Sequence, residues 1–169
     1  MHEADFSPAG VNRLLADAVA RAARAQLADP HHPAVGAIIN PEWNLPDPSV
    51  GKTPIFVAAA LRLAMEGAVD DTLLGRCALA LDYLLRAQNE RGLLDLQDCN
   101  YDSAPDAAFA VQPLAAVVLA CRQRNWHSDL LPMVERFLRR AAPGLVSGGF
   151  HTPNHRWVIA SAMAQLMAL

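Results

Sequence analysis

The sequence predicts an all-α protein built of antiparallel helical hairpins, in which three helices of one kind alternate with three of another. Three observations carry this reading. A helix-start signature recurs at Thr53-Pro54, Ser103-Ala104-Pro105 and Thr152-Pro153, its hydroxyl residues spaced 50 and 49 residues apart. Such a start is efficient because a Ser or Thr at the N-cap satisfies a free end amide, while Pro in the first turn has none to satisfy. The segments before each signature are amphipathic at helical period, whereas those after it are apolar nearly all round. Long connections alternate with short ones, and a period of this length marks a tandem array.

The one-sided helices come first in each hairpin. From Ser7-Pro8 to Leu27 the stripe is Val11, Leu14, Leu15, Ala18, Val19 and Ala22, with Arg13, Asp17, Arg21 and Arg24 elsewhere on the wheel. From Asp71 to Asn89 it is Leu74, Cys77, Ala78, Leu81, Leu84 and Leu85. From Ser128 to Ala142 it is Leu130, Val134, Phe137, Leu138 and Ala141.

The other three helices are expected from Ile55 to Met65, Ala107 to Cys121 and Trp157 to Leu169. Arg62 is the only charge in the first, the second has none, and the third carries only Ser161 and Gln165 as polar residues. A helix without a wet face needs cover on every side. The longest charge-free run is about 15 residues and contains Pro113, short of the roughly 20 that a bilayer requires. Burial in protein is expected, with no membrane partner. Pro113 removes a backbone donor and crowds the turn before it, so a kink or restart is expected there.

The order outer, inner, outer, inner, outer, inner is that of an α/α toroid, in which inner helices ring an axis and outer helices wrap them. The chain supplies about half such a ring, as a single domain over residues 1–169. Leu169 closes an apolar helix without a Gly, Asn or basic cap, which reads as an array cut short or completed by a partner subunit. A homo-oligomer or a missing C-terminal half is expected.

Composition narrows the function classes. Hydrophobic residues make up 53% of the 169 and charged residues 18%, a globular balance. The formal charge is -3 and Lys52 is the only lysine, so nothing attracts nucleic acid. Residues 1–10 contain Glu3 and Asp5 and lack a basic start or apolar core, so a cytoplasmic location is expected. Cys77, Cys99 and Cys121 form no CxxC pair and read as free thiols. His31-His32, His151 and His155 match no zinc spacing, and no phosphate-binding glycine motif or nucleophile elbow is present; neither metal nor cofactor is expected.

The long loops carry the polar chemistry: Asp29 to Lys52, Arg91 to Asp102 and Pro143 to His151. All three lead into inner helices, so they should gather at one end of the array, where function tends to lie. The sequences Asn100-Tyr101-Asp102-Ser103-Ala104-Pro105-Asp106 and Thr152-Pro153-Asn154-His155-Arg156-Trp157 resemble the N-terminal helical region of heparinase II/III-like polysaccharide lyases, within the glycan-active α/α toroid enzymes. The resemblance implies β-elimination on a uronate-containing polysaccharide. Asn154 and Arg156 would neutralise the carboxylate, His155 would be the base or its helper, and Tyr101 the acid.

Donors in a sheltered site are needed because the α-proton is too weakly acidic until the developing enediolate is stabilised. Trp43, Asn100, Asp102, Asp106, His151 and Trp157 complete the expected sugar-binding set. These residues also have a structural reading. Asn154, His155 and Arg156 lie in a first helical turn, Asp102 and Asp106 flank the Ser103 cap and suit the helix dipole, and Trp43 can anchor its loop. A non-catalytic binding module is the alternative, and a glycoside hydrolase using two of Glu42, Asp98, Asp102 and Asp106 is a further one.

Overall fold

The computed structural model describes residues 7–40, 44–46, 51–96, 100–149 and 152–169. The order is α1 (Pro8–Arg24), β1 (Ile39–Asn40), β2 (Leu45–Pro46), α2 (Thr53–Ala64), α3 (Asp71–Ala87), β3 (Leu94–Leu96), β4 (Asn100–Ser103), α4 (Ala104–Gln123), α5 (Leu131–Ser147) and α6 (Pro153–Met167). The fold is mostly helical, as expected. Its two antiparallel ribbons, β1 with β2 and β3 with β4, interrupt the first two long connections, which were read as plain loops.

The helices pack in two rows. In one, α4 lies between α2 and α6; in the other, α3 packs against α5, and α1 leans on α2. The α2–α3 and α4–α5 hairpins tie the rows together. The core runs through α4, where Ala107, Ala108, Val111, Leu114, Ala115 and Cys121 are fully buried. By length and composition α4 could cross a bilayer; here most of it is buried against neighbouring helices, with Phe109 left exposed. α6 differs from the expected fully covered helix: Val158, Ile159 and Ala162 are buried, whereas Trp157 and Met167 are exposed.

Several expected boundaries move. α4 runs unbroken through Pro113, and α5 extends past Pro143 to Ser147, so the third long connection shortens. The recurring caps also prove unlike one another. Ser103 caps α4 as expected, accepting from the Asp106 amide at 3.2 Å. Thr53 instead lies inside α2, where its hydroxyl is fully buried and accepts from the Ile38 amide at 3.0 Å. Thr152 occupies the N-cap position of α6 without accepting from an end amide.

The repeat is enforced by a second device. Gln26, just beyond α1, donates from its side-chain amide to the Gly36 carbonyl at 3.0 Å and the Arg76 carbonyl at 2.8 Å. Gln88, just beyond α3, donates to the Gly92 carbonyl at 2.9 Å and the Phe137 carbonyl at 3.0 Å. Each Gln thus pins its own loop to the next helix of the same row. An arginine reinforces each junction: Arg76 donates to Ala23 O at 3.0 Å, and Arg140 to Leu85 O at 2.9 Å.

Each junction also uses a glycine for close approach. At Gly36, with φ +96°, an added Cβ would lie 2.0 Å from Leu79 O; at Gly92, with φ +76°, it would lie 1.8 Å from Arg140 O. Only glycine fits both the left-handed backbone and the space.

Candidate functional site

The parallel course of the central row follows from its cross-links. At one end Cys121 Sγ lies 3.6 Å from Met65 Sδ, and Arg124 pairs with Glu66 at 2.5 Å. Nearer the other end, Gln112 of α4 donates to Val158 O of α6 at 3.2 Å. At the far end Arg122 of α4 lines one pocket with Leu166 of α6, so the N-termini of α4 and α6 share the opposite end, with their free amides and positive dipole ends.

At the start of α4 a compact polar cluster forms. Asn100 Nδ2 donates to Ser103 Oγ at 2.9 Å and to Asp106 Oδ2 at 3.2 Å. The Ser103 hydroxyl donates to the same carboxylate oxygen, and accepts from the Asp106 amide. The Ser103 hydroxyl thus makes the first half of a capping box, while the Asp106 carboxylate returns to that hydroxyl and not to the cap's backbone amide. Asp106 is buried. Asn100 and Asp106, expected to bind sugar, thus meet each other and the cap.

Asp102 belongs to a different network. Its carboxylate accepts from Asn89 Nδ2 at 2.9 Å and pairs with Arg91, while its amide donates to Asp95 Oδ1 at 2.7 Å. Arg91 also donates to Ser147 Oγ at 3.2 Å, so the second ribbon is tied to the end of α5. Asp102 has φ +54°, a left-handed conformation that Asp tolerates better than most residues. Asn89, Arg91 and Asp95 were not among the expected site residues. The turn-forming run Asn89-Glu90-Arg91-Gly92 was the sequence signal for the first two.

The remaining candidates lie on the surface. Tyr101 is 72% exposed on β4, and Trp157 is 78% exposed in the first turns of α6. Asn154 and Arg156 are exposed and His155 is half-buried, all in the same opening turn as Trp157. Asn154 Oδ1 accepts from the Thr152 hydroxyl, a local link that orders the approach to the helix. Trp43 and His151 lie outside the described residues, as do Glu42 and Asp98.

The two thiols among the described residues, Cys77 and Cys121, are inert by environment. Burial pushes Cys77 up to about 12 and raises Cys121 above its ordinary value, so neither holds a thiolate near neutrality. Among the described residues, no three His, Cys, Asp or Glu side chains group as a metal site. No family model, curated protein or solved structure matches the chain.

Proposed function

We propose that the two helix rows form an arc of an α/α toroid whose α4–α6 N-terminal end binds a uronate-containing polysaccharide and acts on it by β-elimination. The single observation that carries this reading is the exposure of two large aromatic side chains, Tyr101 and Trp157, beside the N-terminal turns of adjacent helices. Aromatic faces stack on pyranose rings, and free helix-end amides favour an anionic group.

On this reading Arg156 and Asn154 neutralise the uronate carboxylate, stabilising the enediolate that forms as the α-proton leaves. His155 takes that proton or assists its removal, and Tyr101 protonates the departing glycosidic oxygen. Trp157 stacks on the sugar. Asn100, Asp102 and Asp106 hold the second ribbon and the start of α4 in place under Tyr101.

The internal hydrogen bonds of Asn100, Asp102 and Asp106 take them out of the expected sugar-binding set; the second reading is a non-catalytic module that binds a protein or carbohydrate. A glycoside hydrolase is less favoured, because it needs two carboxylates facing one cleft, and Asp102 and Asp106 are each engaged in separate networks.

Incubation with alginate, heparin and pectin separates the readings. β-Elimination yields an unsaturated product that absorbs in the ultraviolet. Tyr101→Phe should lower the rate by about a hundredfold or more, as expected for loss of a positioned acid. Binding without product would leave the module; reducing ends without ultraviolet absorbance would point to hydrolysis; neither binding nor product would overturn the glycan reading.

A further inference from the structure

We infer that α6 of one copy docks into the groove between α1 and α2 of a second copy, head to tail, continuing across the interface the packing already present within the chain. The groove has a volume of about 550 Å³ and is lined by Leu15, Ala18 and Ala22 of α1 and by Ile55 and Ala59 of α2, among others.

The internal repeat says what belongs there. The glutamine junctions relate α1 to α3 by 62 residues, Gln26 to Gln88 and Ala23 to Leu85, and relate α3 to α5 by 61, Arg76 to Phe137 and Leu79 to Arg140. On those spacings Leu15, Ala18 and Ala22 correspond to Cys77, Ala80 and Leu84, and then to Leu138, Ala141 and Leu145. The six later residues are all essentially inaccessible, whereas Ala18 is exposed and Leu15 and Ala22 are half-buried.

α3 and α5 each pack against the helix that precedes them, α2 and α4. Among the described residues no helix precedes α1. The occupant the repeat calls for is therefore a helix of the α2, α4, α6 row.

α6 stands at the other end of that row and keeps an exposed face of its own. Below Trp157, Ala160, Ala164 and Met167 follow at helical spacing on one side and are all exposed, Met167 at 87%. Small residues flanked by a large flexible one suit insertion between two helices. The contact joins different surfaces, so it repeats until it closes. Closure with two copies rests on the half-ring reading above; the contact itself rests on the internal repeat alone and involves no sugar.

The test is the mass in solution of the whole chain and of two variants. Wild-type protein at about 100 µM should sediment above the 18.2 kDa monomer, with two copies expected. Ala164→Glu, on α6, and Ala18→Glu, on α1, should each weaken assembly by about a hundredfold or more, since each buries an uncompensated charge.

Both positions are exposed in the single chain, so circular dichroism should show unchanged helix content. Mixing the two variants should restore a one-contact heterodimer, because each keeps the surface the other has lost. A monomeric wild type, an Ala18→Glu variant that assembles normally, or a mixture that stays monomeric would overturn the inference. Failure of the glycan reading would leave all of these results unchanged.

Discussion

The side-chain amide of Gln88 donates to the Phe137 carbonyl at 3.0 Å, a long-range bond that pins the second connection onto α5 as Gln26 pins the first onto α3. Gln88 is buried and also holds Gly92 O, so its removal takes a side-chain donor from two carbonyls at once. Gln88→Ala should cost about 2 kcal/mol or more, measured by urea denaturation. Gln88→Glu should be no better, since a carboxylate cannot donate to either carbonyl and would be buried. Wild-type stability in either variant would show that the junction is incidental.

Glycine substitutions should separate backbone strain from crowding. Gly67 has φ +69° with open space around its Cβ position, whereas Gly92 has φ +76° and Arg140 O at 1.8 Å. Gly67→Ala should cost about 1 kcal/mol, from the left-handed conformation alone. Gly92→Ala should cost several times as much or prevent folding, because the carbonyl it meets is helix backbone. Equal midpoints in chemical denaturation would refute the close approach.

The three recurring hydroxyls should respond differently to mutation. Thr53→Val leaves the Ile38 amide without its acceptor and should cost about 1–3 kcal/mol. Ser103→Ala removes a cap and should cost about 1 kcal/mol. Thr152→Ala should have little effect on thermal unfolding. Three equal losses would restore the uniform capping role that the sequence spacing suggested.

That contrast shows what was legible in the sequence and why. The helices could be read from their periodicity, because burial of Cys77, Leu81 and Leu84 on one side of α3 follows the 3.6-residue period. Local capping was overread: a hydroxyl followed by Pro announces a turn into a helix, but whether the oxygen meets an end amide or a distant strand depends on tertiary placement.

The glutamine junctions join residues about fifty positions apart in chain and follow no local pattern, so they were invisible. In the candidate site, Tyr101 and Trp157 were legible as aromatics beside polar turns. The pairing of Asp102 with Arg91 was not, because it depends on the register of the β3–β4 ribbon.

Acid should loosen the end of the fold opposite the candidate site. Hydrogen bonds from Arg124, then Arg62, hold Glu66 below the ordinary carboxylate value of 4.5. A carboxylate depressed in the folded state adds stability above its unfolded value, and that stability is lost as pH falls through the lower folded value. Stability should therefore decline below about pH 4.5, and Glu66→Gln should flatten that part of the profile. The effect should be small, because Glu66 and both arginines lie at the surface, where solvent screens the pairs. An identical pH profile for the variant would rule out the link.

Thiol labelling tests the burial of α3 and α4. In a Cys99→Ser background, Cys77 and Cys121 should resist a thiol reagent at pH 8 and both should react in denaturant. Rapid labelling under native conditions would contradict the packing described for these helices.

The most direct measurement of the central claim is a heteronuclear NMR titration with a short oligouronate. Binding at the proposed end predicts amide and side-chain shifts at Tyr101, Asn154, His155, Arg156 and Trp157, reduced by Arg156→Ala and Trp157→Ala. An absence of shifts at saturating sugar, or shifts confined to the α1–α2 groove, would contradict it.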